Sequence, residues 1–293
     1  MEVSEQIAVL PDTDPADRQT ALTVRSFGMT DQGRVRESNE DQFVNAQLSR
    51  AIQLQQSSLP QPKTLLGDQH GHLFLVADGM GGHAGGEHAS ALALLTIEDF
   101  VLNTLKWFFG LHGEDILGEF QQALRNADAR MFEESSRRPE LKGMATTVTM
   151  GYSTHAALYV VHVGDSRCYL LRGGKLQQIT RDHTLAAEMV RGNALSPDEA
   201  EHSPFKNVVT NSVGGSTPGL KPEVHKVPLE PGDVALFCSD GLTGPVTDED
   251  IAAVLQSASD PEAACRELVA RANAAGGRDN ITVIVACFDA AAT

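Results

Sequence analysis

The sequence predicts an α+β protein in which antiparallel β-sheet is covered by helices. Apolar residues recur at helical spacing in grouped blocks, and the strand-like segments between those blocks are short and joined by tight turns. The order is strand, helix pair, short strands, polar lobe, strand, helices and strand. That order is not the alternation of a repeating βαβ array, so a parallel sheet is not expected.

Composition limits the function classes. The chain has 293 residues, a net charge of −16, four cysteines without a CxxC pair, and no apolar run long enough to span a bilayer. Residues 1–20 carry five acids without periodicity and predict a disordered acidic tail, followed by one folded domain over residues 21–293. We expect a cytoplasmic monomer with reduced cysteines that binds neither nucleic acid nor membrane. The acidic charge favours basic or neutral binding partners.

The first half of the chain predicts strands followed by two helices. Segments with strand-like patterns lie at residues 23–27, 41–45 and 72–77. Residues 47–69 are rich in Gln, Ser and Pro and predict a long hairpin excursion. Apolar residues then recur at helical spacing after Gly86, and a second helix is predicted over residues 115–135.

The second half predicts more sheet. Four short strands joined by tight turns predict one antiparallel meander: residues 147–152, 157–164, 167–172 and 175–180. A mostly polar lobe with two short helical patterns covers residues 182–219. Two buried strands close the chain, at residues 233–239 and 281–288, with helices near 248–257 and 261–275 between them.

One motif suggests nucleotide binding. Residues 79–84 (GMGGHA) match the dinucleotide fingerprint, follow a predicted strand and precede a helix. However, Asp78 would direct a negative charge at the pyrophosphate, and no second parallel strand follows the helix. A nucleotide-binding oxidoreductase therefore stays the weaker alternative.

Acidic residues recur at the ends of predicted strands. A single Asp-Gly after a strand is most often a turn, but strand ends on one edge of a sheet converge in space. Converging carboxylates repel unless cations neutralise them, and oxygen ligands select hard ions such as Mg²⁺ or Mn²⁺. Four negative charges, which match two divalent ions, come from the carboxylates of Glu40, Asp78, Asp240 and Asp279. Arg36 could then bind phosphate oxygens bidentately.

Six motifs in order carry a family resemblance: GRVRESNED (33–41), DGMGGH (78–83), GDSR (164–167), ITRDHT (179–184), SDG (239–241) and GRDNI (277–281). Together they resemble the metal-dependent serine/threonine protein phosphatases, type 2C or PPM, in their bacterial form. The resemblance spans about residues 22–288. It implies a four-layer αββα sandwich, with two antiparallel sheets flanked by helix pairs and a flap at about 182–219.

The resemblance also implies residue roles. Asp78 would bridge two Mn²⁺ or Mg²⁺ ions, Glu40 and the Gly79 carbonyl would bind one ion, and Asp240 and Asp279 the other. Asp165 would bind a third, weaker ion.

In the same comparison, Arg36 matches the phosphate-binding arginine. Asp41 and Asn280 would orient waters bound to the metals.

The implied activity is hydrolysis of phosphoserine and phosphothreonine by a hydroxide bridging the two metals. Phosphorylated proteins, including a bacterial Ser/Thr kinase and its substrates, are the implied partners. Many eukaryotic members have a proton-donating His where this chain has Met80, so a water on the Asp165 ion, or His83, is the hypothesised donor. A catalytically dead relative that binds phosphoproteins is the second alternative.

Overall fold

The computed structural model describes residues 22–50, 69–81, 84–104, 113–154, 157–216 and 219–291. They form two antiparallel sheets with helices packed outside them, which confirms the predicted α+β sandwich. The first sheet has five strands, in spatial order β1 (Leu22–Asp31), β12 (Ile281–Ala290), β11 (Asp233–Cys238), β7 (Arg167–Arg172) and β8 (Lys175–Gln178). The second sheet has the order β10 (Glu223–Pro228), β6 (Ala157–Val163), β5 (Val148–Ser153), β3 (Gln69–Met80), β4 (Ala145–Thr146) and β9 (Val213–Gly214), and β2 (Asp41–Arg50) also pairs with β3.

Helices cover the outer face of each sheet. The second sheet packs against α1 (Ala84–Thr104) and α2 (Gly113–Arg137), close to the predicted bounds. The first sheet packs against α6 (Asp248–Ser257) and α7 (Pro261–Ala274), also as predicted. The polar lobe contains two short helices, α3 (Leu185–Arg191) and α4 (Pro197–Glu201), as its two helical patterns indicate. None of the helices in the described part of the chain combines the length and apolar character of a membrane span.

Strand β3 shows why an apolar run marks the centre of this fold. Leu73 and Leu75 pack towards α1 and α2, whereas Phe74 and Val76 pack between the sheets, so both faces of the strand are buried. The Phe74 and Phe237 rings lie 5.5 Å apart and join the two sheets. Because side chains alternate, Asp78 continues the face of Phe74 and Val76 and points between the sheets at their end.

The predicted single meander is wrong. Strand β6 pairs with β5 and β10, whereas β7 pairs with β11 and β8, so the chain crosses from one sheet to the other at residues 164–166. An alternating apolar pattern indicates which residues of a strand are buried, but it does not indicate which strands pair. The crossing places Asp165 between the ends of the two sheets.

Smaller corrections concern the edges of the sheets. Two elements were not predicted: β10, an edge strand whose charged residues hide its alternation, and the short helix α5 (Asp240–Thr243). Residues 47–50 and Gln69 belong to β2 and β3, so the excursion starts later and ends earlier than predicted, because these residues continue the hairpin. The predicted tail, the excursion residues 51–68 and His83 lie outside the described residues.

No βαβ unit forms around the GMGGHA motif. Strand β3 pairs antiparallel with β2 and β5, and α1 is followed by α2 rather than by a parallel strand. The dinucleotide fingerprint therefore lacks the βαβ unit in which it binds a nucleotide. All four cysteines are free thiols, as predicted.

Candidate metal centre

The β2–β3 hairpin brings the first two predicted groups together. Asp41 and Asp78 are direct partners in the antiparallel register, and the Gly79 amide donates to the Glu40 carbonyl at 3.2 Å. Ser90 Oγ on α1 donates to the same carbonyl at 2.7 Å. The hairpin and the start of α1 therefore hold Glu40, Asp41, Asp78 and Gly79 at one end of the second sheet.

The second pair comes from the first sheet. Strand β11 ends at Cys238, and the Ser239 amide donates to the Thr282 carbonyl at 3.0 Å, which places Asp240 beside the start of β12. A Cβ at Gly241 would overlap the Asn280 carbonyl, so this close approach requires glycine. Glycine after Asp240 thus lets the Asp240 and Asp279 segments lie against each other.

The carboxylates converge. Asp240 lies close enough to Asp78 for a side-chain interaction between the two carboxyls to lower the pKa of Asp240. Burial raises the pKa of Asp78 well above its usual range, and the charges of Asp41, Asp240, Asp165 and Asp279 raise it further. A cluster of this kind is stable only when it retains protons or receives cations.

The other carboxyls in the cluster have raised pKa values for the same reasons. Burial raises the pKa of Asp41 to about 7, against hydrogen bonds from Ser239 and Thr282 that lower it. Burial, then Asp279, raise the pKa of Asp240 to about 6. Burial, then Asp240 and Asp182, raise the pKa of Asp165 to about 8.

Two observations fit this donor set to hard divalent ions. Oδ1 of Asp41 and Oδ1 of Asp240 are buried and accept no hydrogen bond from the described residues. A Cβ at Gly86 would overlap the Glu40 carboxylate and lie 2.9 Å from the Gly79 carbonyl oxygen, so both oxygens face one small space beside α1. All of these donors are oxygens, which Mg²⁺ and Mn²⁺ prefer.

Arg36 lies at the rim of the cluster. Its Nη2 donates to Asp279 Oδ2 at 2.6 Å, and its side chain is 54% exposed. The Asp279 hydrogen bond raises the pKa of Arg36, so the guanidinium is charged throughout the accessible pH range. The pairing places a cation with free donors beside the carboxylates, where an incoming anion would enter.

Asn280 anchors the loop that precedes β2. Its Oδ1 accepts from the Glu40 amide at 2.9 Å, and its Nδ2 donates to the carbonyls of Gln32 and Ser38, both at 2.9 Å. Both amide hydrogens are therefore already used. These bonds show that Asn280 positions the Glu40 backbone, and the water-orienting role expected for Asn280 stays a prediction.

Hydroxyl groups hold the Asp41 side chain and connect the segments next to Asp165. Ser239 Oγ donates to Asp41 Oδ2 at 2.7 Å, and Asp41 is only 2% exposed. Next to Asp165, the Ser166 and Thr147 hydroxyls are 2.8 Å apart, and Thr147 Oγ1 accepts from the Asp78 amide at 3.0 Å. These contacts connect the Asp165 loop to the strand that carries Asp78.

Four further residues belong to this site and were not predicted from the sequence: Gly86, Ser90, Thr147 and Ser239. Ser239 lies directly before Asp240 within the SDG motif, which was a usable signal. Ser90 and Thr147 make hydrogen bonds across 50 and 69 residues, and Gly86 faces the distant Glu40, so no local pattern marks these three.

A separate cluster meets a simple distance criterion for one metal ion. Of the described residues, only His162, His183 and Glu223 offer three such ligand atoms within 4.8 Å of one another. The converging carboxylates do not meet this criterion, because a centre for two ions spreads its donors around two positions. However, His162 Nε2 donates to the Gly164 carbonyl at 3.0 Å and Nδ1 is 2.9 Å from Thr149 Oγ1, so neither nitrogen is a free ligand. We therefore assign this cluster to hydrogen bonding rather than metal binding.

The comparisons with known proteins agree with this geometry. The family model for protein phosphatase 2C matches residues 61–280, more than half of the chain. The serine/threonine protein phosphatase PstP of Mycobacterium tuberculosis is 33% identical over 92% of this chain, which spans 46% of that relative. The serine/threonine phosphatase stp of Listeria monocytogenes is 31% identical, over 87% of this chain and 92% of its own length.

A solved structure shows the same fold. The catalytic domain of PstP in complex with two manganese ions superposes with a TM-score of 0.72 at 32% identity, covering 92% of this chain and 99% of that domain. The present chain spans about half the length of the mycobacterial relative, so it corresponds to that catalytic part. The chain belongs to the protein phosphatase 2C family.

Proposed function

We propose that this protein is a metal-dependent phosphatase that hydrolyses phosphoserine and phosphothreonine in proteins, with residues 21–293 as one catalytic domain. The observation that carries the proposal is the convergence of Asp41, Asp78, Asp165 and Asp240, whose buried carboxyls lie close enough to shift one another's pKa values. The names of the relatives support the choice of serine and threonine phosphoesters.

The proposed ligand assignment is the one that the family resemblance implies, and the convergence of these residues supports it. Glu40 and the Gly79 carbonyl would hold one ion, Asp240 and Asp279 would hold the other, and Asp78 would bridge them. Asp165, at the crossing between the sheets, would hold a third and weaker ion. When bound, two Mn²⁺ or Mg²⁺ ions would activate a water for attack on phosphorus and offset the charge of the phosphoryl group.

The chain's own residues supply binding and order. Arg36 binds the phosphoryl oxygens with the guanidinium donors that Asp279 does not use. Asn280 holds the backbone of Glu40, and Ser239 holds one oxygen of Asp41 so that the other faces the site. Met80 offers no proton for the leaving group. The candidates for that step are a water on the ion that Asp165 would hold and His83. If Asp165→Ala and His83→Ala both keep full activity and an unchanged pH profile, neither is the donor.

The test is turnover of a phosphothreonine peptide after treatment with a chelator. We expect no activity until Mn²⁺ or Mg²⁺ is added, and a loss of at least about 100-fold in Asp240→Asn. Asp289→Asn is the matched control, because that carboxylate is exposed on β12 and its ion pair among the described residues is with Arg25. Metal-independent turnover would refute the mechanism. Binding of phosphopeptide without turnover would favour the catalytically dead relative.

We further propose that a serine/threonine kinase and its targets supply the phosphorylated substrates and that the protein acts as a monomer. Phosphoproteomics after deletion of the gene tests the first proposal. Light scattering at working concentration tests the second, and a mass of two chains would contradict it.

A further inference from the structure

Two hollows follow one another along the edge strand β10. One, of about 450 Å³, lies between β10 and the other edge strand on this side, β8, and its lining includes Arg172, Lys175 and Lys226. The other, of about 320 Å³, lies towards the flap, and its lining includes Arg181 and Arg191. We call the two hollows together the basic groove.

The charge of the basic groove is opposite to that of the whole protein, which is −16. Of the described residues that line the first hollow, none is acidic. Glu223 in the second hollow is only 9% exposed and already pairs with Arg181, His183 and His225.

Part of this positive charge is available to a ligand. Arg172 pairs with Asp233 at 2.6 Å and Glu230 at 2.9 Å, so its charge is largely compensated. Within the described part of the chain, Lys175, Lys226 and Arg191 have no carboxylate partner. The exposed ammonium of Lys226 lies 5.8 Å from the Tyr159 ring, and Arg191 donates to the Asp182 carbonyl at 3.1 Å.

The flap end of the basic groove adjoins the candidate metal centre. The His183 amide donates to the Gly164 carbonyl at 2.7 Å, and the Gly164 amide donates to His183 Nδ1 at 3.1 Å. Gly164 precedes Asp165, so the groove starts close to one of the converging carboxylates. From there it follows β10 for six residues, about 20 Å of extended chain.

We propose that the basic groove binds an extended acidic segment of the protein substrate, next to the phosphorylated residue in that substrate's sequence. This proposal rests on the phosphatase function proposed above and specifies its substrate class. The local charge of the groove replaces the expectation, drawn from net charge, that basic or neutral segments are preferred. An apolar floor that includes Leu170 and Val227 would take the uncharged side chains of the segment.

Lysines on edge strands have a second known use, which is to prevent pairing with other chains. Under that alternative Lys175 and Lys226 would repel unrelated strands without selecting a substrate. The chain's own acidic residues 1–20 are another possible occupant by charge. The experiment below separates both from the proposal.

The experiment compares two phosphothreonine peptides with the same core and a ten-residue extension that carries either four glutamates or four glutamines. In wild type with Mn²⁺, we expect kcat/KM to be about fivefold higher for the glutamate peptide at low salt, with the difference falling at 0.5 M salt. The double variant Lys175→Glu/Lys226→Glu should lose this preference and favour a lysine extension. Its turnover of p-nitrophenyl phosphate should equal that of wild type.

The matched control is Arg125→Glu/Arg266→Glu, which reverses the same number of exposed charges on α2 and α7. Equal turnover of the two peptides by wild type, or an equal loss of preference in this control, would overturn the proposal. The proposal would also be overturned if deletion of residues 1–20 produced the same change in peptide preference as the double lysine variant. Fluorescence anisotropy with unphosphorylated versions of the peptides measures docking without turnover. A wild-type protein that hydrolyses no phosphoester with Mn²⁺ would refute the phosphatase function separately.

Discussion

Raising the pH of the metal-free protein from 6.5 to 8.5 should lower its free energy of unfolding. Burial raises the pKa of Asp41 to about 7 and that of Asp165 to about 8, whereas both carboxyls return to ordinary values near 3.8 when the chain unfolds. In this pH range the folded state therefore binds protons that the unfolded state has already lost. The associated stability is present below these folded pKa values and is lost as pH rises through them.

The magnitude follows from linkage. Each retained proton changes the free energy of unfolding by about 1.4 kcal/mol per pH unit, so the two carboxyls together give about 3 kcal/mol over this range. For a domain of this size that loss lowers Tm by about 6 to 12 °C. The range starts at pH 6.5 because of His162, whose pKa burial lowers to about 4. Below the ordinary histidine pKa of about 6.5 the unfolded state binds a proton that folded His162 does not, so there stability rises with pH.

The assay is thermal unfolding by circular dichroism after removal of divalent ions with a chelator. Asp165→Asn should flatten the pH dependence, and the surface control Asp289→Asn should keep it. Added Mn²⁺ should raise Tm more at pH 8.5 than at 6.5, because cations compete with protons for the same oxygens. A Tm that is constant or rises with pH in the metal-free protein would refute the reasoning.

Three substitutions test other parts of the site. Gly86→Ala places a methyl group against the Glu40 carboxylate, so we expect calorimetry to show an Mn²⁺ affinity that is lower by about tenfold or more. The helix itself should gain about 1 kcal/mol from alanine, so the loss is specific to the metal. An unchanged Mn²⁺ affinity would contradict this prediction. Asn280→Ala removes three hydrogen bonds and should cost about 2 to 4 kcal/mol in urea unfolding, and a cost below about 1 kcal/mol would argue against its anchoring role. Arg36→Lys loses the planar donor pair and should raise KM for a phosphopeptide about tenfold in steady-state assays; the same KM as wild type would exclude phosphate contact.

Local patterns predicted most elements of this fold. The apolar run in β3 is buried on both faces, by α1 and α2 on one side and by Phe237 on the other, so its burial is readable from the sequence alone. The helices α2, α6 and α7 each bury one face, which their apolar spacing predicts. Elements with weak or short patterns, such as β10 and α5, were not predictable in the same way.

The sequence by itself determined the elements of the sandwich and the run of acids at strand ends, because burial and turn chemistry are written in short-range order. Only the tertiary structure decided which strands pair, that the chain crosses between sheets before Asp165, and that the hydroxyl of Ser239 holds Asp41 across 198 residues. It also decided that Asn280 anchors the loop before β2 and that basic side chains lie along β10 although the protein as a whole is acidic. Such contacts depend on segments far apart in the chain, and neither spacing nor composition records which distant segments meet.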